Sequence, residues 1–80
     1  MYTVYILKCA DNSLYTGIAR DITKRLTDHQ TKKGSKYVRA RLPFKLVYSE
    51  SQPDRSTATK REIQIKNMTR KEKLILIDDC

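Results

Sequence analysis

The chain has 80 residues, with 17 Lys+Arg against 9 Asp+Glu and a formal net charge of +8. That length supports one domain, residues 1–80, with a core only just large enough to hold a fold. With 39% apolar residues and a mean hydropathy of −0.67, it contains no segment suited to spanning a bilayer, which excludes membrane-protein functions.

Taken in order, Tyr2 to Cys9 is nearly all apolar and rich in β-branched and aromatic residues, so it is expected to be a central strand covered on both faces. Ala10 to Asn12 supplies a turn, with Asp11-Asn12 as its chemistry, and Ser13 to Ile18 returns as the second strand of a hairpin. Asp21 suits an N-cap, and Ile22, Leu26 and His29 recur at helical spacing through about Lys32. Gly34 is a natural stop. Ser35 to Arg41 reads as a short helical turn closed by Pro43.

Phe44, Leu46 and Tyr48 alternate with Lys45, Val47 and Ser49, the pattern of a third strand. Pro53-Asp54 breaks it, and a helix is expected from about Ser56 to Asn67. Thr69-Arg70-Lys71-Glu72 fits a capping box opening a last helix that carries Leu74, Ile75 and Ile77. The order β-β-α-α-β-α-α predicts an α+β domain, a three-stranded antiparallel sheet flanked by helices.

The charge excess and a pI near 9.7 create a field that draws polyanions, nucleic acid first and an acidic membrane surface second. Between Lys24 and Lys45 there are eight Lys/Arg residues and one acid, Asp28. Cys9 and Cys80 lie too far apart in sequence to suggest a disulfide framework or a zinc site. Met1-Tyr2-Thr3-Val4 has no basic n-region, so no signal peptide and a reduced, cytoplasmic setting are expected.

Three sets of residues are not explained by local rules. Ala58, Glu62 and Ile65 form one stripe of the third predicted helix, and a carboxylate in an inward stripe must be paired, coordinated or at the mouth of a cleft. Pairing with Arg61 or Lys66 is the plain alternative. Arg25 and His29 stand at i and i+4, either as a phosphate clamp or with His29 as a partly buried filler. Tyr5 and Tyr15 lie ten apart around the turn, with Gly17 two residues later; tyrosines in strands are usually packing residues with a wet hydroxyl, and Tyr2, Tyr37 and Tyr48 are read that way.

Together these residues resemble the GIY-YIG nuclease family. Val4-Tyr5 within "TVYIL" matches the first motif and Tyr15-Thr16-Gly17 the second. Arg25 and His29 match the helix arginine and histidine, and Glu62 the metal-binding glutamate. "YTG", "KRLTDH", "LPFKLVY" and "ATKREIQIK" are most similar to small stand-alone bacterial members of uncharacterised role. Two positions depart from the pattern: Thr3 replaces the first glycine, and Asn67 follows Glu62 too closely to be the asparagine many members carry, so no asparagine is carried over.

The resemblance implies a metal-dependent endonuclease, or a nuclease module, that hydrolyses phosphodiester bonds. The alternative is a nucleic-acid-binding protein that keeps the fold and basic patch without cutting. Glu62 would hold one Mg²⁺ or Mn²⁺, Arg25 would grip the scissile phosphate, and His29 would bond it or assist proton transfer. Tyr15 or Tyr5 would be the general base, with Arg25, Arg20 or Lys8 expected to lower its pKa. Gly17, Arg20, Lys24 and Lys36 are assigned to substrate binding, Gly17 by leaving room for a phosphate. Nucleic acid, with DNA favoured, is the expected partner, beside a possible targeting protein. A shared cleft for the two phenols has a geometric requirement: β-pairs across the hairpin must sum to an even number, which needs a turn of odd length or a bulge. Such a hairpin is expected, with both hydroxyls on the face that receives Arg25, His29 and Glu62.

Overall fold

A computed structural model describes residues 1–30 and 43–78, excluding the side chains of His29 and Gln30. The predicted short helix at 35–41, and Lys36 within it, lie outside the described residues. Three strands, β1 (Tyr2–Cys9), β2 (Leu14–Ala19) and β3 (Phe44–Gln52), form an antiparallel sheet of order β2-β1-β3. Three helices accompany it among the described residues: α1 (Ile22–Gln30), α2 (Arg55–Lys66) and α3 (Arg70–Asp78). The fold is α+β, as the alternation of elements predicts.

β1 is central, and Val4, Tyr5, Ile6 and Leu7 are all buried. That explains a run without polar alternation: each face of β1 meets its own core. Val4 and Ile6 pack with Tyr48 and with Ala58 and Ile65 of α2, whereas Tyr5 and Leu7 pack with Ala19 and with Ile22 and Leu26 of α1. Burying each aliphatic side chain in β1 contributes about 1.5–3 kcal/mol, so the strand that carries Tyr5 is also the one the sheet is built around.

The hairpin turn has three residues. Asn12 N–H donates to Cys9 C=O and Cys9 N–H to Ser13 C=O, each at 2.9 Å, and Asn12 adopts φ 67°, the left-handed conformation that asparagine tolerates. Asp11 steadies the turn by accepting from Ser13 N–H. Every β1–β2 pair therefore sums to an even number, as in Tyr5↔Gly17 and Leu7↔Tyr15, which is the register the shared cleft requires.

β3 departs from simple alternation. Its register against β1 shifts between Ile6↔Tyr48 and Leu7↔Leu46, leaving Val47 as an extra residue. The bulge turns Phe44 toward the Tyr5 core while Tyr48 enters the other one. Phe44, Leu46 and Tyr48 thus do not share a face, contrary to the sequence pattern, because both cores have to be filled from one edge strand.

The helix ends follow local chemistry. Asp21 accepts from Lys24 N–H at 3.1 Å at the start of α1. Asp54 accepts from Thr57 N–H at 2.8 Å and starts α2 at Arg55. The capping box forms as expected, Thr69 N–H donating to Glu72 and Glu72 N–H to Thr69 Oγ1. α3 packs through Leu76 and Ile77, whereas Leu74 and Ile75 are exposed.

Candidate active site

The even register sends Tyr5 and Tyr15 to the same face of the sheet. Their ring centroids are 6.4 Å apart with planes tilted by 43°. Tyr5 lies across the neighbouring strand, over Gly17. A Cβ at Gly17 would stand 2.7 Å from the Tyr5 hydroxyl oxygen, 2.8 Å from its Cζ and 3.2 Å from Tyr15 Cε2. The space above Gly17 is therefore taken by a phenol and is not open to a phosphate. Glycine is needed there so that the ring can cross β2.

α1 covers this face by Ile22 and Leu26, and Arg25, in its first turn, lies close enough to the Tyr5 hydroxyl to act on it. His29 is one turn further along α1, its side chain outside the described residues. Arg20, Lys24 and Arg25 line one cleft together with Asp21 and Asp28, so three of the cations expected from sequence do converge. Lys8 does not join them, since it is exposed and alternation places it on the opposite face.

Glu62 does not join the tyrosines from the α1 side as expected, because the buried stripe of α2 packs on the other face of the sheet. Ala58 and Ile65 of its stripe are fully buried against the Val4–Ile6 face, while the Glu62 side chain keeps 19% exposure. Its charge nonetheless acts on Tyr5. Lys66 Nζ stands 3.7 Å from Glu62 Oε1 and is itself 54% exposed, a surface pair of the weak kind. Arg61 turns away and pairs with Glu50 at 2.9 Å. Of the two cations expected to neutralise Glu62, one is committed elsewhere and the other is loosely placed.

Glu50 was not expected from sequence. It accepts from Tyr48, Gln52 and Arg61, and although burial opposes its charge, these bonds hold its pKa below the usual carboxylate value. The signal was available: Tyr48, Glu50 and Gln52 occur at every second position of β3 and so face α2 together.

The sequence matches the GIY-YIG catalytic domain over residues 1–74. The chain belongs to the GIY-YIG family. A UPF0213 protein of Staphylococcus epidermidis is 49% identical over 76 residues, covering 95% of this chain and 93% of the relative. A UPF0213 protein of Staphylococcus aureus is equally similar, with the same coverage. Among solved structures, the solution NMR structure of a UPF0213 protein from Bacillus halodurans is 39% identical with a TM-score of 0.63, covering 98% of this chain and 84% of the other. That of a protein from E. faecalis is 35% identical with a TM-score of 0.68, covering 98% and 83%.

GIY-YIG nucleases are generally metal-dependent. One residue of this GIY-YIG chain, Glu62, has donor chemistry suited to such an ion. Among the described residues no three His, Cys, Asp or Glu side chains gather to form a cage, but Mg²⁺ characteristically takes one or two carboxylates and draws its remaining ligands from water and phosphate. Glu62 is a hard oxygen donor on a rigid helix. In the layer where β2 meets α2, the hydroxyl of Thr16 is buried without a hydrogen-bond partner, a polar atom suited to an ordered water.

The phenol chemistry differs from expectation. Burial, and then the neighbouring Tyr15, push Tyr5 up to about 12, against the opposing effect of Arg25. Desolvation wins over the guanidinium because the phenol is 1% exposed. Tyr5 therefore keeps its proton at neutral pH. A raised pKa means the folded state favours the protonated phenol, so its contribution is complete below pH 10, the ordinary tyrosine value, and is lost as pH rises through 10 to about 12. Urea midpoints measured from pH 9 to 12 should fall over this window. Tyr5→Phe should flatten the fall, and an unchanged slope in that variant would rule out Tyr5 as its origin.

Proposed function

We propose that this chain is a metal-dependent endonuclease or nuclease module, a single GIY-YIG domain over residues 1–80, that hydrolyses phosphodiester bonds in DNA. The observation that carries this reading is the meeting of two phenols on one sheet face, with the charges of Arg25 and Glu62 both acting on Tyr5.

The roles follow from the environments. Arg25 has five donors in a planar fork, so one guanidinium can hold Tyr5 and grip the scissile phosphate together. Tyr5, kept protonated, orients the phosphate or the attacking water by donating its hydroxyl. Tyr15, half-buried, is the phenol of the two with solvent access; we assign it the general base that takes a proton from water. Water attacks phosphorus, the bond to the 3′ oxygen breaks, and that oxygen leaves with charge that needs neutralising. Mg²⁺ or Mn²⁺ held by Glu62 supplies that neutralisation when bound. His29 bonds the phosphate or assists proton transfer, and Arg20, Lys24 and Lys36 hold the flanking strand. Among the described residues no helix is long and apolar enough to cross a membrane, and a cytoplasmic setting, with a targeting protein as possible partner, suits this reading.

The test is a cleavage assay on branched, nicked and single-stranded DNA with Mg²⁺ or Mn²⁺, run beside a binding titration at several salt concentrations. Binding should weaken steeply with salt, with a slope of about −0.9 per phosphate contact on duplex DNA, and cleavage should stop on chelation. Salt-sensitive binding without cleavage of any substrate would leave the non-cutting binder standing in place of the nuclease, and salt-independent binding would remove both.

A further inference from the structure

The cleft that receives Arg25 is lined by neither Tyr5 nor Tyr15 and is larger than one phosphate requires. It encloses about 550 Å³, within the range of small-molecule sites, at the end of the sheet where β1 begins and β2 stops. Tyr2 and Ile18 give it apolar surface, and Arg55, the first residue of α2, adds a fourth cation to Arg20, Lys24 and Arg25. Neither Tyr2 nor Arg55 has a place in the chemistry described above.

We propose that this cleft is a nucleotide subsite in which Arg20, Lys24 and Arg55 take a phosphate and Tyr2 takes the attached base. It rests on the polynucleotide reading above and names the unit next to the scissile phosphate. Four cations face two acids there, so the cleft is net positive. An inorganic phosphate would use only the cations. The combination of cationic rim and aromatic floor suits an anion carrying a flat apolar group.

Two features give the subsite definite geometry. Arg55 is anchored at the backbone, because Asp54 fixes the first turn of α2 through both the N–H and hydroxyl of Thr57. Arg25 lines the cleft and its charge also acts on Tyr5, so the subsite adjoins the proposed reaction centre. A base lies against Tyr2 only after leaving its duplex stack, as in aromatic recognition of single strands. The subsite therefore selects for an unpaired nucleotide beside the cut.

The experiment is a titration of the full chain, without divalent ion, using thymidine 5′-monophosphate, deoxyribose 5-phosphate and inorganic phosphate, followed by NMR shifts of described residues. Thymidine monophosphate should bind at least about fivefold tighter than the sugar phosphate, the low end of what aromatic stacking contributes per base. Tyr2→Leu should erase that preference. Arg55→Ala should weaken all three by about tenfold, the loss of one charge-assisted hydrogen bond, whereas Lys71→Ala, an exposed cation on α3, should weaken none. Arg55 is exposed, so its variant keeps the test decisive if Tyr2→Leu does not fold. Equal affinity for the three probes, or indifference to Arg55→Ala, overturns the subsite. Failure of the nuclease reading looks different: thymidine monophosphate binds through Arg55 and Tyr2 while no polynucleotide is cut.

Discussion

Glu62→Gln is expected to remove cleavage and leave the fold intact. The amide has nearly the shape of the carboxylate but is a poor ligand for Mg²⁺, whose preference is for hard anionic oxygens. Lewis-acid stabilisation of a leaving oxygen is worth several kcal/mol, and each 1.36 kcal/mol is tenfold in rate. The rate should therefore fall by about a thousandfold or more. Stability should barely change, because the one ion pair lost is the 3.7 Å contact with Lys66, and such exposed pairs contribute about 0–1 kcal/mol. Single-turnover cleavage with Mg²⁺ and with Mn²⁺, beside a thermal melt, separates the two effects. Full activity in Glu62→Gln would sink the metal assignment.

Gly17→Ala is expected to damage both fold and activity, although it adds one methyl group. The new Cβ would stand 2.7 Å from the Tyr5 hydroxyl and 2.8 Å from its Cζ, closer than carbon atoms approach without displacement. Tyr5 cannot swing aside, because it is among the largest fully buried side chains. Overpacking of this kind costs about 1–3 kcal/mol, a large share of the stability of so small a chain. The relief available is a shift of the ring, which would carry its hydroxyl away from Arg25. Denaturant midpoints and cleavage rates should fall together. Tyr5→Phe should not rescue the variant, since Cζ remains after the hydroxyl is gone. Wild-type stability in Gly17→Ala would mean that the ring does not lie across β2 as described.

The reasons for these effects were only partly legible in the sequence. The run from Tyr2 to Cys9 announced a central strand because apolar residues without alternation need two cores. Asp21 and the Thr69–Glu72 box marked their helix starts, since capping depends on local spacing, whereas Asp54 was read only as a strand break and its capping of α2 emerged with the structure. The bulge at Val47 was hidden, because alternation of Phe44, Leu46 and Tyr48 is the pattern of a regular strand and only the two competing cores break it. Glu62 stood out as a carboxylate in an apolar stripe. The proton affinity of Tyr5 was misread from its cationic neighbours: charges can be counted in a sequence, but the desolvation that outweighs Arg25 depends on how deeply the ring is packed. Gly17 was legible as a place of close approach, though not which group approaches. Arg55 and Tyr2 lie 53 positions apart and meet only because β1 starts where α2 starts.

The three-residue turn at Ala10–Asn12 also sets a rule for inheritance. Losing or gaining one codon there would exchange inside for outside along the whole of β2, sending Tyr15 to the Glu50 side and bringing Thr16 to face Tyr5. Losing or gaining two would shorten or lengthen the loop while restoring the same faces. Length changes at this turn are therefore tolerated in steps of two, and a lineage that keeps both phenols at work can drift in the composition of the loop far more freely than in whether its residue count is odd or even.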